Sequence, residues 1–250
     1  IVILAGGAAS GKGFVFDNLL GIEGNVLDVD ALKALAIGST RLASKIKDET
    51  GVDIRDLSLD NAENVKTLHD ILADVYGITK ANQQRVFSSV LAAPEDRKPN
   101  LIFDVTLKDM QKLDDVTRNA VKLGYDKKNI HVVWVLNDID LAQQQNLERD
   151  RVVPSDILLS THEGTAITMA RIMDLGSDLK RYLDGDMFIV FNKRGEDTTT
   201  VSSPRGGKYI LDANYLQIKK QGSSVMNRSE LSDEIRNKIT KYTPKTPTWS

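Results

Sequence analysis

A chain of 250 residues carrying 33 Lys+Arg against 35 Asp+Glu has room for one α/β domain with additions, and its charge is too evenly balanced to argue by itself for a nucleic acid or a membrane surface as partner. It has no cysteine, which excludes disulfides, thiolate metal sites and cysteine nucleophiles together, and its 6% of aromatic residues argues against a base-stacking platform. No apolar run approaches the roughly 20 residues that span a bilayer, so the expectation is a cytoplasmic protein without a membrane partner.

In chain order, Ile1-Val2-Ile3-Leu4-Ala5 reads as a buried strand, followed by a glycine-rich turn and a helix from Lys12 that ends near Leu20-Gly21. Asn25-Val26-Leu27-Asp28 is a second, short strand. Ala62, Val65, Leu68, Leu72 and Val75 recur at three- and four-residue spacing and predict a helix; another follows over 78–91, and then a polar loop between Pro94 and Pro99. Leu101-Ile102-Phe103-Asp104 is a third strand, and Met110, Leu113, Val116 and Ala120 mark the helix behind it, stopped by Gly124. Residues 130–136 read as a fourth strand, 141–151 as a charged helix, 156–175 as a helix entered through Pro154-Ser155, and 187–191 as a fifth strand. Such alternation predicts a parallel five-stranded sheet with flanking helices, an α/β three-layer sandwich. Beyond it, residues 198–211 read as a β-hairpin around Pro204-Arg205-Gly206-Gly207. A last amphipathic helix carries Leu231, Ile235 and Ile239 with Ser229 as its cap, and an extended arm follows from Thr243.

The run Gly6-Gly7-Ala8-Ala9-Ser10-Gly11-Lys12-Gly13 lies where a phosphate-binding loop must lie, between a strand and the first turn of a helix. Glycines let the backbone wrap an anion, N–H groups converge on it, and the helix N-terminus adds a favourable dipole. Lys12 supplies a point charge for the outer phosphates. Position 13 departs from the common pattern: Gly13, followed by Phe14, replaces the Ser or Thr that ligates Mg²⁺, which argues against a GTPase-type switch more than against a kinase. Ser10 either contacts a phosphate or caps the turn. The expected nucleotide-binding set is therefore Gly6, Gly7, Ala8, Ala9, Ser10, Gly11, Lys12, Gly13 and Phe14.

Ligands of open α/β sheets collect outside the carboxyl ends of the strands. Asp28-Val29-Asp30 follows the second strand and Asp104-Val105-Thr106 the third. One of Asp28 and Asp30 is placed to accept a proton from an attacking hydroxyl, while the other caps the next helix. Asp104 has the position of a Walker B acid that holds Mg²⁺ through water, and with Thr106 it is the substrate-side candidate; its competing reading is a turn aspartate capping the following helix. Arg149 and Arg151, in Asn146-Leu147-Glu148-Arg149-Asp150-Arg151, occupy the place of a kinase lid, where arginines spread charge over a transferring phosphoryl group. The histidines, His69, His131 and His162, show no metal-ligand spacing; His162, with Thr161 and Glu163 on the helix behind the lid, reads as a surface helix face, the competing reading being a substrate or lid contact.

Together these residues resemble the zeta-toxin family of P-loop kinases and its bacteriophage relatives over about residues 1–175, and the Gly-Lys-Gly step resembles the loop of adenylate-kinase-like enzymes. The resemblance implies an ATP- and Mg²⁺-dependent kinase that phosphorylates a hydroxyl, with Asp28 or Asp30 as base, Lys12, Arg149 and Arg151 as charge stabilisers, and Asp104 at substrate or metal. Family toxins act on UDP-N-acetylamino sugars. Here Asp104 stands for a glutamate and Val105 for a glycine, so the acceptor is expected among nucleotides, nucleotide sugars and modified DNA, and no protein partner is signalled. The expected organisation is a kinase domain over 1–192, with a lid near 146–156, and a hairpin, helix and tail over 193–250. The rival reading is a P-loop ATPase or a nucleotide-binding regulatory protein with no acceptor.

Overall fold

The computed structural model describes residues 1–149, 152–192, 200–202, 208–210 and 214–242. Its centre is a six-stranded sheet in the order β2-β3-β1-β4-β5-β8. The strands are β1 (Val2–Ala5), β2 (Asn25–Leu27), β3 (Leu101–Val105), β4 (His131–Leu136), β5 (Met187–Phe191) and β8 (Tyr215–Lys219). The first five are mutually parallel, and β8 runs antiparallel along β5. The sheet thus has six strands where five were expected. Tyr215-Leu216-Gln217-Ile218-Lys219 alternates, with Leu216 and Ile218 in the core, and covers the edge of β5 that a purely parallel pattern leaves open.

Central strands are apolar on both faces because helices cover both. Ile3, Phe103, Val132, Trp134 and Ile189 face one side, packed beneath α5 (Ile78–Ala92), α6 (Met110–Lys122), α8 (Ser155–Asp174) and α9 (Arg228–Tyr242). Val2, Leu4, Ile102, Val133, Val135 and Val190 face the other, under Val15, Phe16, Leu19 and Leu20. Those last four belong to α1 (Lys12–Val15) and the π-helical turn Phe16–Leu20 that prolongs it to Gly21. Phe87 of α5 meets Phe103 edge-on, with ring centroids 6.4 Å apart.

Between β2 and β3 the chain builds a helical insertion with its own core. The helices are α2 (Val29–Gly38), α3 (Thr40–Thr50) and α4 (Ala62–His69), and Ala43, Ile46, Ile54, Leu68 and Leu72 are buried together. Ser39 and Asn61 cap α3 and α4 by accepting first-turn amides. At its end α4 passes into a π-helical turn, Asp70–Val75.

At the far end of the chain, β6 (Thr200–Ser202) and β7 (Lys208–Ile210) pair antiparallel; the glycine turn expected at 204–207 lies outside the described residues. Asn227, not Ser229, caps α9, its Oδ1 accepting the amides of Ser229 and Glu230. Among the described residues no helix is long and apolar enough to cross a membrane.

Strand register fixes where the chemistry collects. Pairing of Leu27 with Phe103 sets Asp28 and Asp104 one step beyond it, and pairing of Ala5 with Val105 sets Gly6 beside Thr106.

Candidate active site

After β1 the chain turns through Gly6-Gly7-Ala8-Ala9-Ser10-Gly11 into α1. Ser10 N–H donates to Gly7 O at 3.3 Å, and Val15 N–H to Gly11 O at 3.0 Å. Ala9 sits at φ 56° and Gly11 at φ 90°. A left-handed alanine costs about 1–2 kcal/mol, so its surroundings must hold it there. Position 11 requires glycine for a second reason: a Cβ would lie 1.9 Å from Asn192 Nδ2, which donates to Ser10 O at 3.0 Å. This alternation of handedness is the backbone pattern of main-chain anion cradles, and the first-turn amides of α1 have no intrahelical acceptor. The loop thus has the form of such a cradle, although the amides of Ala8 and Ser10 are taken by Thr161 Oγ1 and Gly7 O. Ser10 is buried, and its hydroxyl has no hydrogen-bond partner among the described residues, so it caps no turn.

Lys12 Nζ donates to Gly6 O (3.0 Å) and Gly7 O (3.2 Å) and lies 3.6 Å from Asp104 Oδ1. The lysine and the strand-end acid therefore form one pair over the loop. A cavity of about 1080 Å³ opens above them, slightly beyond the common range for a single small-molecule site. Residues 8–14 line it on the loop side and Asp28, Asp104, Thr106 and Arg149 line it elsewhere, whereas Gly6 and Gly7, expected in the nucleotide-binding set, are not among its lining residues. So most of the residues singled out by sequence meet in one cavity. Asp30 is in the first turn of α2, its side chain outside the described residues, and Arg151 also lies outside them.

Arg149 is carried by a short bridge between α7 (Ile139–Leu147) and α8. Buried Asn146 ties this bridge: its Nδ2 donates to Val153 O at 2.8 Å, and its Oδ1 accepts Val153 N–H at 3.0 Å. Val152 N–H donates to Leu59 O at 2.8 Å, joining the bridge to the helical insertion.

Several lining residues escaped the sequence reading. Lys33 of α2 and Lys66, His69 and Asp70 at the end of α4 come from the insertion, for whose first half the sequence indicated only a helix capped after the second strand, without bounds. Lys112 of α6 and Asn192 complete the wall. Asn192 was findable, because it follows β5 and the rule that selected Asp28 and Asp104 applies there too. His162 was expected on a surface face and is instead half-buried against the loop, its Nε2 2.8 Å from Ala8 O. The sequence hid this because the buried face of α8 is threonine-rich, so apolar periodicity does not mark it. Burial pushes the His162 pKa down; the bond to Ala8 opposes the shift, and the charge of Lys12 adds to it.

No protein-family model matches the chain, and no curated protein matches it. Among solved structures it is similar to the AvrRxo1-ORF1:-ORF2 complex with ATP, at 14% identity and a TM-score of 0.47, over 100% of this chain and 65% of that one. The native AvrRxo1-ORF1:-ORF2 complex gives 13% and 0.48, over 94% and 62%. TT1252 from Thermus thermophilus gives 15% and 0.36, over 78% and 88%. The chain thus spans less than two thirds of the AvrRxo1 chains it matches.

Chemically, the site pairs an amide cradle and a lysine with two carboxylates and an arginine around one space. Those are the elements of phosphate binding, proton acceptance and charge neutralisation. Among the described residues no group of three or more His, Asp or Glu comes together as a metal-binding cluster.

Proposed function

We propose that this protein is an ATP-dependent kinase that transfers the γ-phosphoryl group to a hydroxyl of a small-molecule, nucleotide or nucleic-acid acceptor. The observation that carries this reading is the shared cavity: the loop at 8–14, with Lys12, lines the same space as Asp28, Asp104 and Arg149. The resemblance of the motifs to zeta-toxin kinases supports it.

In this reading the triphosphate lies on the amides at the start of α1, with Lys12 exchanging its loop carbonyls for phosphate oxygens. Asp28 accepts the proton of the acceptor hydroxyl as that oxygen attacks the γ-phosphorus, and the bond to the bridging oxygen breaks to release ADP. Asp30 is the alternative base. Lys12 and Arg149, with Arg151 beyond it, neutralise charge on the transferring group. Thr106 and Asp104 contact the acceptor. Mg²⁺, when bound with the nucleotide, would neutralise phosphate charge. The residue set fits an ion held mainly by phosphates and water, since Gly13 offers no hydroxyl and Asp104, one of the acids lining the cavity, would hold it through water. Residues 1–192 carry the catalytic groups, with 146–156 as lid, and β8 completes their sheet, so the unit does not end at residue 192.

The test is incubation with γ-labelled ATP and separate pools of nucleosides, nucleotide sugars and hydroxymethylated DNA. Label on an acceptor in the wild type and its loss in Asp28→Asn or Asp30→Asn, with nucleotide binding intact, is the expected result. Label released only as free phosphate in every pool would replace the kinase with an ATPase.

A further inference from the structure

The buried face of α8 carries three threonines, Thr161, Thr165 and Thr168, where apolar side chains would need no partners. Two of them, with His162, grip two loops that line the cavity. Thr161 Oγ1 donates its proton to Leu158 O within the helix at 2.7 Å. That fixes a lone pair toward the phosphate loop, where it accepts Ala8 N–H at 3.0 Å. Next along the helix, His162 Nε2 stands 2.8 Å from Ala8 O. Only an N–H can face a carbonyl at that distance, so Nε2 carries the proton. The imidazole is packed against Gly7 so closely that a Cβ there would sit 2.2 Å from its Cδ2. One turn later, Thr165 Oγ1 bonds Thr106 O, on the segment that follows β3.

Both polar groups of Ala8 are therefore held by consecutive residues of one helix, immediately before Ala9, the left-handed alanine of the cradle. A strained residue persists only where its neighbours over-determine it. Released from α8, the Ala8–Ala9 peptide is free to rotate Ala9 out of the left-handed region and turn the amides that follow away from an anion. From this we infer that Thr161 and His162 are positioning residues for phosphoryl transfer, a clamp from α8 that keeps the phosphate loop in its anion-receptive form. The inference rests on the nucleotide-binding reading of the loop and assigns it a support outside the motif.

The experiment compares Thr161→Val and His162→Ala with the conservative pair Thr161→Ser and His162→Gln, which keep a hydroxyl acceptor and an N–H donor. Binding of the non-hydrolysable analogue AMP-PNP, amide hydrogen exchange over residues 7–13 without nucleotide, and thermal unfolding are measured on each. Loss of one clamp bond should weaken AMP-PNP binding about 3- to 10-fold, the worth of a single hydrogen bond. Exchange should quicken at Ala8 and through residue 13, and the conservative variants should stay close to wild type. Two results would overturn the clamp. Tighter AMP-PNP binding in Thr161→Val would make Thr161 a competitor of the phosphates for the Ala8 amide. A lowered melting temperature with unchanged loop exchange and unchanged AMP-PNP affinity would leave α8 as plain scaffolding. A wild type that binds no AMP-PNP would instead remove the nucleotide reading, and loop exchange alone would still decide whether α8 holds the loop.

Discussion

Lys12 makes three contacts, to the carbonyls of Gly6 and Gly7 and to Asp104, and each is one that a polyphosphate can take over. Lys12→Ala is expected to lower phosphoryl transfer by about 100-fold or more, the scale set by removal of one charge-stabilising donor from a preorganised site. Single-turnover rates at saturating ATP check this. In the proposed mechanism Asp28 acts on the proton instead, so Asp28→Asn should reduce transfer by about 100-fold or more while AMP-PNP affinity stays unchanged in calorimetry; equal losses of both would make it a binding residue. The pH prediction belongs to His162. Its folded pKa is lowered by burial below the ordinary value of 6.5, so the unfolded chain binds more protons between the two values, and stability rises with pH there. The stabilisation is complete above about pH 6.5 and is lost as pH falls through the folded value. His131, also lowered chiefly by burial, acts with the same sign. Chemical denaturation of His162→Gln between pH 7 and 5 should therefore show a shallower, not abolished, loss of stability.

At the scale of elements, two contacts are held by different physics. α6 covers the sheet through Leu113, Val116 and Ala120, all buried, and Asp109 caps it by accepting Lys112 N–H at 2.8 Å. Leu113→Ala should cost about 3 kcal/mol, since the space around a fully buried leucine in a packed core collapses only in part. The β8 edge is pinned by a charge. Lys219 has no exposed side-chain surface, and its ammonium meets Asp184 Oδ1 at 3.0 Å and the carbonyls of Asp184 and Lys220, each at 3.2 Å. Asp184→Ala leaves that ammonium buried with only carbonyls and should cost about 3 kcal/mol. Lys219→Met should cost less, because the carboxylate left behind is part-exposed and can be hydrated. Urea titration of the two variants orders them, and the reverse order would show that the aliphatic stem of Lys219, not its charge, holds the strand. Elements also mark where sequence was readable. α6 declares itself by apolar spacing, an acidic cap and a terminal glycine. β8 does not, because a short antiparallel edge strand carries only Leu216 and Ile218 as inward signal.

For the whole molecule, the sheet order places the carboxyl ends of β1, β2 and β3 side by side, and residues of the insertion and Arg149 line the same cavity as the segments that follow them. A nucleotide bound there should stabilise the native state alone, by about 2.7 kcal/mol at one hundred times its dissociation constant. Thermal unfolding with and without AMP-PNP tests this: the midpoint should rise in the wild type and not in Lys12→Ala. An equal rise in both would place the nucleotide away from the loop.

The glycine-rich loop between β1 and α1, the strands that lead to Asp28 and Asp104, and the helices behind them were legible because each is written in contiguous residues. A glycine turn, an apolar run and a helical spacing are local properties, decided by backbone sterics and the burial of nearby side chains. The acids were found by a rule about strand ends, which needs topology but not coordinates. Tertiary structure decided what the chain has to fold to reveal. It brought His162 and Thr161 more than 150 positions along the chain onto Ala8, set Lys33, Lys66 and His69 of the insertion in the lining of the cavity that the loop also lines, and set β8 on the edge of β5. Such contacts follow from how helices and sheet settle together, and that packing free energy is shared among many residues rather than encoded in any short stretch.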